Sequence, residues 1–486
     1  MSEYHYLAVD LGAESGRVLR GTFDGEKISL RECTRFPTGL STLHGRDYWD
    51  VLRIFESIIE GLKEASKMGP AEGIAVDTWG VDFALLDQEG RILGYPYAYR
   101  DSRTDDMMDR MAELMPKEEI YDRTGIAFLQ FNTIYQLLAM KEAGDPLLPL
   151  AKTLLLMPDV FHYMLSGEKA SEFSHASTSQ MLNVKTRTWD PEILKLLGVD
   201  PAIMCDPVLP GTVIGKLTAE VQENTGLNEV PVIAVGSHDT ASAIASIPME
   251  NENCCYISSG TWCLMGVENR EAIVTPEALN CNFTNEGGVD GTFRFLKNIM
   301  GLWLIQRLKG ELAEDMDYGS LTEESSKSEP FRTLVDANDS GFFNPKSMSE
   351  AFRAFAEKSD QALPETVGQF VRCATESLAL EVRLTLEELR KIVRRPMEKI
   401  HMTGGGVKNE LFCQMIADAT GVPLLGGPIE ATGAGNIMMQ AIASGHISSV
   451  AEGRKVVANS FEMVSFEPGE GQAWDEAFER YKKLKG

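Results

Sequence analysis

The stretch that decides the fold lies near the start of the chain and reads Tyr6-Leu-Ala-Val-Asp10-Leu-Gly12-Ala-Glu14-Ser15-Gly16-Arg17. A second stretch of the same kind, about half a chain later, reads Tyr256-Ile-Ser258-Ser259-Gly260-Thr261-Trp262. In each, an apolar run with strand character leads into a tight turn of small and hydroxyl residues, and a second apolar run follows. Glycine lets such a turn approach a ligand closely, while the hydroxyl and N–H groups present donors to an anion. Two such hairpins predict two related domains that hold one polyphosphate between them.

The composition is that of an ordinary globular protein and excludes some classes of partner. The 486 residues are 43% hydrophobic and 24% charged, and their formal net charge is −26. At roughly 150 residues per domain, a chain of this length holds about two to four domains. The negative charge argues against nucleic acid or an anionic membrane surface as a partner. A bound phosphate must therefore be held by local backbone donors, a metal ion or a few placed cations.

The cysteines and the hydropathy pattern predict a cytoplasmic protein. The eight cysteines include no Cys-x-x-Cys pair, and Cys254 and Cys255 are neighbours in an apolar strand-like run. Buried free thiols in a reducing compartment are expected, rather than disulfides or a zinc site. The N-terminus moves directly into a strand without the regions of a signal peptide, and no stretch reaches the ~18–20 apolar residues of a membrane span. Nothing in the sequence indicates an oligomeric state.

Strand-like runs alternate with segments of helical period, which is the pattern of an α/β fold. Strands are predicted at 4–10, 16–23, 28–36, 72–77, 81–87, 231–235 and 399–403. Helices are predicted at 50–66, 104–114, 132–143, 158–165, 240–246, 431–444 and from Pro364 to about Arg394. The polar stretch 311–350 is expected to be loop with short helices. Because the strand–turn–strand pattern restarts after Pro248, we place a boundary near 247–252, which gives domains 1–247 and 248–486.

The first hairpin carries two candidate ligand-binding side chains. Asp10 ends the strand, and a carboxylate there suits Mg²⁺, directly or through water. The alternative is that Asp10 only caps the turn, as aspartate often does. Arg17 either holds a phosphate or pairs with Glu14 on the hairpin surface.

Two further turns stand where α/β proteins place their sites, at the carboxyl ends of strands. Ser237-His238-Asp239-Thr240 follows a strand and opens a helix, and Asp239 there suits a general base that acts on a hydroxylated substrate. The alternative is that Ser237 or Asp239 is only the helix N-cap. Gly404-Gly405-Gly406 allows a flat ligand such as adenine to approach, although glycine-rich turns often serve the turn alone.

Taken together, these stretches resemble the FGGY carbohydrate kinases, within the sugar kinase, Hsp70 and actin-like superfamily. The resemblance runs nearly from end to end. It rests on the first hairpin and on Gly73–Phe83, Tyr99–Thr104, Ser237–Thr240, Ser258–Trp262 and Leu296–Trp303.

The resemblance implies an α/β fold of two ribonuclease H-like domains, of the actin, hexokinase and Hsp70 type, flanking a catalytic cleft. The first domain would bind mainly the sugar, and the second mainly ATP. Asp239 is implied as the proton acceptor, and Asp10 as the acidic residue linked to the Mg²⁺ of Mg–ATP. The residues implied at the sugar are Gly80, His238, Asp239, Thr240 and Asn298. Those implied at ATP are Ala13, Glu14, Ser15, Gly16, Arg17, Thr261, Gln306, Gly405 and Gly406.

The implied reaction is the ATP-dependent phosphorylation of L-rhamnulose at its 1-hydroxyl, a step of L-rhamnose catabolism. L-Fuculose and L-xylulose are alternative substrates with the same chemistry. A more distant alternative is an actin- or chaperone-like ATPase. Glu14 departs from the Ser or Thr that the family pattern has at this position, so residue 14 brings a carboxylate and no hydroxyl to the turn.

Overall fold

The computed structural model describes residues 3–485, which form two compact units. Unit 1 contains the chain up to Pro248 together with Glu268–Phe295 and Ala431–Ser460. Unit 2 contains Met249–Val267, Leu296–Glu430 and the chain from Phe461 onwards. The segments Glu268–Phe295 and Ala431–Ser460 follow Pro248 in the sequence but belong to unit 1, because their helices and strands pack against the first 248 residues. The assignment of the sugar to one half of the chain and ATP to the other stays a prediction.

The strands of the first half of the chain are β1 (Tyr4–Leu11), β2 (Ser15–Phe23), β3 (Ile28–Pro37), β4 (Leu40–Leu43), β5 (Arg46–Trp49), β6 (Gly73–Thr78), β7 (Phe83–Leu86), β8 (Thr153–Leu156), β9 (Ser171–Glu172), β10 (Leu182–Asn183), β11 (Thr188–Trp189), β12 (Pro207–Val208), β13 (Thr212–Lys216) and β14 (Pro231–Ala234). Those of the second half are β15 (Cys254–Ser259), β16 (Trp262–Asn269), β17 (Thr284–Gly287), β18 (Phe293–Met300), β19 (Lys399–Thr403), β20 (Leu424–Gly426) and β21 (Val464–Phe466).

The α-helices of the first half are α1 (Val51–Ser66), α2 (Met107–Leu114), α3 (Lys117–Thr124), α4 (Thr133–Glu142), α5 (Met157–Ser166), α6 (Phe173–Thr178), α7 (Pro191–Leu197), α8 (Ala219–Thr225) and α9 (Asp239–Ala245). Those of the second half are α10 (Pro276–Asn280), α11 (Trp303–Leu312), α12 (Tyr318–Lys327), α13 (Met348–Lys358), α14 (Val367–Val393), α15 (Glu410–Thr420), α16 (Ala431–Ala443), α17 (Val450–Ser460) and α18 (Gln472–Lys482). Short 3₁₀ helices cover Ser102–Thr104, Leu148–Leu150, Pro201–Ile203, Ser340–Phe342 and Gly405–Lys408.

The main sheet of unit 1 has the strand order β13-β14-β6-β1-β2-β3. Its three central strands, β14, β6 and β1, are parallel, and the β1–β2 hairpin is antiparallel. Every residue from Tyr6 to Leu11 is buried, as expected for a strand that is covered on both faces. On one face, Ile54, Ile58 and Leu62 of α1 pack against β1 in a single apolar cluster.

The short helix α9 and the longer helix α16 meet closely within unit 1. A methyl group added to Gly435 would lie 1.8 Å from the carbonyl oxygen of Ser242 on α9. Only glycine allows two helix backbones to come this near each other. This contact explains why Ala431–Ser460 belongs with the first 248 residues.

In unit 2, the sheet runs in the order β18-β16-β15-β19-β20-β21. β15 is antiparallel to β16, with which it forms the second hairpin, and parallel to β19. The long helix α14 begins with a capping box of Thr366 and Gln369. In the polar stretch predicted as loop with short helices, α12 is the longest helix, and α13 begins at Met348.

Two predicted elements differ from the structure at their first residues, for the same reason. The strand predicted at 81–87 begins at Phe83, since Val81 has a left-handed φ of 69°. The helix predicted at 104–114 begins at Met107, since Asp106 has a φ of 64°. A left-handed residue ends the regular hydrogen-bonding pattern on either side of it.

All eight cysteines are free thiols, and five of them are buried, as predicted. Between residues 3 and 485, the structure contains no helix whose length and apolar character would let it cross a membrane.

Candidate active site

Three neighbouring strands of unit 1 bring acidic side chains to one edge of the sheet. The parallel pairing of β1 and β6 sets Asp10 beside Asp77. The N–H of Thr78 donates to the carbonyl of Ser237 at 2.9 Å, which joins the end of β6 to the segment that follows β14. Asp239 comes two residues after Ser237. The carboxyl ends of parallel strands are where α/β sheets place ligands, so this edge is the candidate site in unit 1.

Asp10 forms an ion pair within the first hairpin. Arg17 faces it across the β1–β2 pair and donates to Asp10 Oδ2 from Nε at 2.9 Å and from Nη2 at 2.7 Å. The alternative that Asp10 only caps the turn does not describe these contacts, since its Oδ2 is held by an arginine. The arginine that was expected either at a phosphate or at Glu14 is thus paired with the strand-end carboxylate.

Asp77 lies beside Asp10 and is completely buried. Burial, together with the nearby Asp10, raises the pKa of Asp77 well above its ordinary value. Its Oδ2 accepts a hydrogen bond of 2.6 Å from Asn436 Nδ2, and its buried Oδ1 has no hydrogen-bond partner. The favoured state is therefore a neutral Asp77 beside an Asp10 that is paired with Arg17.

The turn of the first hairpin is closed by backbone hydrogen bonds. Gly12 N–H donates to the Ser15 carbonyl at 3.0 Å, and Thr38 Oγ1 donates to the Gly12 carbonyl at 2.8 Å. Glu14 is exposed at the tip of this turn. A methyl group on Gly16 would lie 2.6 Å from side-chain atoms of Leu11 and Phe36, so a larger residue there would have to displace these two side chains.

Asp239 is the first residue of α9, and the residue at the N-cap position is His238. The alternative that Ser237 or Asp239 is only the N-cap therefore does not hold. Asp239 Oδ1 accepts from Thr240 N at 2.5 Å and from Thr240 Oγ1 at 3.0 Å. Burial raises the pKa of Asp239, and Asp10 adds to this, whereas His238 and Thr240 act in the opposite direction. With a third of its side chain exposed, this carboxylate remains accessible to a substrate.

The ring of His238 lies between two carboxylates. Its Nε2 is 3.4 Å from Asp239 Oδ1, and its Nδ1 is 3.3 Å from Glu286 Oε2. Arg294, whose side chain is fully buried, pairs with Glu286 at 3.0 Å and lies 3.2 Å from His238 Nδ1. Burial opposes ionisation of Glu286, but Arg294 and His238 outweigh it and lower the pKa of this carboxyl. The charge pair therefore orients the imidazole toward Asp239.

Gly80 brings the chain after β6 against the same imidazole. A methyl group on Gly80 would lie 3.3 Å from His238 Nε2 and 3.6 Å from Thr178 Oγ1. The structure thus gathers Gly80, His238, Asp239 and Thr240, four of the residues predicted at the sugar, in one place.

The other predicted residues lie in unit 2, around the second hairpin. Thr261 occupies the turn between β15 and β16, and its carbonyl accepts from Trp303 N at 3.1 Å at the start of α11. Gln306 lies one turn further along α11, and its N–H donates to Leu302 at 2.8 Å. Asn298 lies on β18 and is half-buried.

The glycine run after β19 lies against the end of β15. A methyl group on Gly404 would be 2.6 Å from the Ser259 carbonyl oxygen, and one on Gly406 would be 2.1 Å from Ser259 Oγ. Gly405, between them, is exposed, and a methyl group there would have no atom within 4 Å. Gly404 and Gly406 therefore lie where a side chain would meet Ser259. Gly405 faces open space, which leaves room for a flat ligand.

Sequence reasoning gave no role to Asp77, Glu286 and Arg294, which complete the site in unit 1. A signal exists for two of them, since Asp77 is the charged residue of the apolar run Gly73–Thr78 and Arg294 stands among the apolar residues at the start of Phe293–Met300. Glu286 carries no such signal, because its role depends on the fold that brings it to His238.

Within residues 3–485, no three His, Cys, Asp or Glu side chains form a group that would hold a metal ion by themselves. Carboxylate and phosphate oxygens are nevertheless the ligands that Mg²⁺ prefers. The partnerless Oδ1 of Asp77 and the neighbouring Asp10 supply such oxygens. Asp10 therefore fits a magnesium ion, and a cation there would favour the ionised form of the neighbouring Asp77, which is neutral without it.

Comparison with known proteins gives a consistent result over nearly the whole chain. Residues 5–245 match the N-terminal domain, and residues 255–444 the C-terminal domain, of the FGGY family of carbohydrate kinases. The rhamnulokinase of Bacteroides thetaiotaomicron is 43% identical over 479 residues, which is 98% of this chain and 99% of that protein. The rhamnulokinase of Pectobacterium atrosepticum is 41% identical over 471 residues, 96% of this chain and 94% of its own.

A solved structure, the gluconate kinase of Lactobacillus acidophilus, shares the fold. It superimposes with a TM-score of 0.84, at 16% sequence identity, and the match covers 100% of this chain and 98% of that one. At this level of identity the likeness concerns the fold alone.

Proposed function

This chain belongs to the FGGY family of carbohydrate kinases, and from that premise we propose that it transfers the γ-phosphoryl group of ATP to the 1-hydroxyl of L-rhamnulose. The products are L-rhamnulose 1-phosphate and ADP, and the reaction serves L-rhamnose catabolism. Support for the sugar comes from the two rhamnulokinases, which match this chain at 41–43% identity from end to end.

The observation that carries the chemistry is the position of Asp239. Its carboxylate is partly exposed at the carboxyl edge of the parallel strands, and its pKa is raised by burial and by Asp10. A raised pKa makes a carboxylate a stronger base, closer to what a general base needs at neutral pH. Asp239 accepts the proton of the 1-hydroxyl as that oxygen attacks the γ-phosphorus and the bond to the β-phosphate breaks.

The groups beside Asp239 are proposed to bind the sugar. His238 presents Nε2, and Thr240 its hydroxyl, next to Oδ1 of this carboxylate. Gly80 leaves the room beside His238 that a larger residue would fill. Asn298 is proposed as a fifth sugar-binding residue.

The nucleotide is proposed to bind to turns in both units. In unit 1 these are Ala13, Glu14, Ser15, Gly16 and Arg17 of the first hairpin. The exposed position of Glu14 supports this, since a carboxylate that points outward does not oppose a phosphate held by the turn backbone. In unit 2 they are Thr261, Gln306, Gly405 and Gly406, and the open face of Gly405 supports a contact with adenine.

Asp10 is proposed to meet the magnesium ion of Mg–ATP, directly or through water, with Asp77 next to it. When bound, the ion neutralises charge on the phosphoryl group and orients it. Arg17, which pairs with Asp10 at 2.7 Å, is the cation of the first hairpin that is proposed to contact a phosphate oxygen. A cytoplasmic location is also proposed, and the free thiols support it.

The test is ADP production with L-rhamnulose, L-fuculose, L-xylulose and glycerol, each compared with a control without sugar. A strong preference for L-rhamnulose, with a product phosphorylated at position 1 by NMR, is expected. Preference for another ketose would overturn the substrate while leaving the chemistry in place. Equal ADP release without any sugar would overturn the kinase proposal and favour an ATPase.

A further inference from the structure

The carboxylate of Glu172, one residue before α6, is fully buried. It is the N-cap of α6 and accepts from Ser174 N at 2.7 Å and from His175 N at 3.0 Å. These two bonds are what a helix cap provides.

Glu172 also bonds to the segment that carries Asp239, although that segment is 65 residues further along the chain. Ser237 N–H donates to Glu172 Oε2 at 3.1 Å, and so does Ser174 Oγ at 2.5 Å. Ser174 Oγ in turn accepts from His238 N at 3.3 Å. The two backbone N–H groups that precede Asp239 are therefore both held by the Glu172–Ser174 pair.

A cap alone does not explain a buried glutamate. Serine, threonine, asparagine and aspartate all cap helices, and a neutral one avoids the cost of burying a charge. Glu172 accepts four hydrogen bonds in all, and two of its four donors lie outside the backbone of α6. The side chain is long enough to reach from the cap to Ser237, which a serine is not.

We propose that Glu172 is a positioning residue for phosphoryl transfer, holding the backbone of Ser237 and His238 so that Asp239 meets the sugar hydroxyl. The proposal rests on the proposed function, in which Asp239 is the proton acceptor. Displacement of a reacting group by 1 Å costs about 100-fold in rate, so a fixed backbone at this segment matters for turnover.

Protonation of Glu172 would weaken this arrangement, since all four partners are donors. Burial raises the pKa of Glu172 to about 7, although Ser174 and His175 oppose the change. Below that pH a growing fraction of molecules carries a proton on this carboxyl, which then accepts more weakly from its four donors, Ser237 N–H included, so kcat is expected to fall. β12, which pairs with β9, adds no titratable side chain. The titratable groups next to Glu172 are Asp159 on α5 and His175 on α6. Beyond them, His162 lies 3.7 Å from Asp159, and His238 after β14 pairs with Glu286 on β17, which Arg294 on β18 also contacts.

The main test is Glu172→Gln, which keeps the shape but turns one acceptor into a donor facing other donors. We expect kcat to fall by about 10- to 100-fold, with KM for ATP within about threefold of wild type. In a plot of kcat against pH, the decrease of wild type below about pH 7 that comes from Glu172 should also be absent in Glu172→Gln. Asp190→Asn is the matched control, because Asp190 is a buried N-cap that bonds Glu192 N at 3.1 Å and Ile193 N at 3.2 Å, away from the site. Its kcat should stay within about twofold of wild type.

A second readout does not depend on activity. Hydrogen–deuterium exchange of a peptide covering 235–241 should be faster in Glu172→Gln than in wild type, and unchanged in Asp190→Asn. If the wild type fails to phosphorylate L-rhamnulose, the proposed function falls, while the exchange rates still decide whether Glu172 holds this segment. Should Glu172→Gln not fold, Ser174→Ala removes only the link to His238 N, and a loss of about 3- to 10-fold in kcat is expected. A kcat within twofold of wild type, or unchanged exchange, in the variant that folds would overturn the proposal.

Discussion

Around Asp239, neighbouring groups act on one carboxyl in opposite directions. Burial and the charge of Asp10 favour the neutral form, while His238 and the Thr240 hydrogen bonds favour the anion. His238 in turn is oriented by Glu286 and Arg294. The base strength of Asp239 therefore depends on its neighbours and, through His238, on Glu286 and Arg294, which are not proposed to touch the substrate.

We expect Asp239→Asn to lower kcat by roughly 10²–10⁴-fold, because an amide cannot accept the hydroxyl proton. KM for ATP should change little, since the residues proposed at the nucleotide are untouched. Steady-state kinetics with L-rhamnulose and ATP varied separately checks both numbers. Asp200→Asn, which alters a surface cap that bonds Ala202 N at 3.0 Å, is the control. Near-normal turnover in Asp239→Asn would remove it from the role of proton acceptor.

At the scale of elements, the connection from β6 to β7 is held by one buried carboxylate. Asp82 Oδ2 accepts from Trp49 Nε1 at 2.5 Å and from Trp79 Nε1 at 2.9 Å, and its Oδ1 accepts from Gln136 Nε2 at 3.0 Å. These bonds tie β5 and α4 to the turn that contains Gly80. The two tryptophan rings lie 4.1 Å apart at the same point.

The stability of the protein should carry a pH dependence from Asp82. Burial raises the pKa of Asp82 to about 6, from 3.8, although the tryptophans and Gln136 oppose it. Its contribution to stability is complete below about pH 4 and is lost as the pH rises through about 6. Because one pKa unit equals about 1.4 kcal/mol, wild type should lose up to about 3 kcal/mol between these limits relative to Asp82→Asn. Urea unfolding of both proteins from pH 4 to 7, followed by tryptophan fluorescence, measures this; a difference independent of pH would contradict it.

The contact between α9 and α16 is a second feature at this scale, since α9 begins with Asp239. Asn436 of α16 bonds Asp77 at 2.6 Å, and the next residue toward the N-terminus, Gly435, touches the backbone of α9. The long helix thus supports two of the strand ends that form the site.

Gly435→Ala should separate these helices, because its methyl group would overlap the Ser242 carbonyl oxygen at 1.8 Å. Overpacking of this kind typically lowers the free energy of unfolding by about 1–3 kcal/mol. We expect a loss of about 3 kcal/mol here, because the obstacle is a backbone atom, which moves less easily than a side chain. Denaturant unfolding measures the loss. In Gly310→Ala, on α11, the added methyl has no atom within 4 Å, so stability should be unchanged or up to about 1 kcal/mol higher. Equal stabilities of the two variants would contradict the packing argument.

At the scale of the whole molecule, a protein of net charge −26 is proposed to bind a polyanion. Asp10, Asp77 and Asp239, which that count includes, lie close enough together at the site to affect one another's ionisation. Such a field repels ATP unless cations offset it locally. Burial reduces this repulsion because it favours the neutral form of Asp77, and the charge of Arg17 offsets that of Asp10.

Activity should therefore require Mg²⁺, and excess EDTA should abolish it. Asp10→Asn should raise the Mg²⁺ concentration for half-maximal rate by about tenfold or more, because a ligand or its water partner is lost. Glu26→Gln removes the same charge from an exposed turn and is the control. A Mg²⁺ titration at saturating ATP and sugar compares the three proteins. If Asp10→Asn kept the wild-type requirement, Asp10 would not be the residue linked to the metal.

Much of the fold can be predicted from the sequence, because its elements follow from local patterns. The strand predicted at 4–10 is Tyr4–Leu11, and the helix predicted from Pro364 to about Arg394 is Val367–Val393. Alternation and helical period are properties of neighbouring residues, so a single chain records them. The position of Asp239 between a strand and a helix also follows from local sequence. That His238 is the N-cap and Asp239 the first residue of the helix is known only from the structure.

The sequence by itself therefore determined the α/β class, the two hairpins and the turn that presents Asp239. Only the tertiary structure decided which groups surround these turns. Asn436 bonds Asp77 from 359 residues away, Arg294 approaches His238 from 56, and Glu172 holds Ser237 from 65. Each pairing depends on how remote elements pack and on the burial that follows, and burial is what sets the charge state of a carboxyl group. No local pattern of residues contains that information.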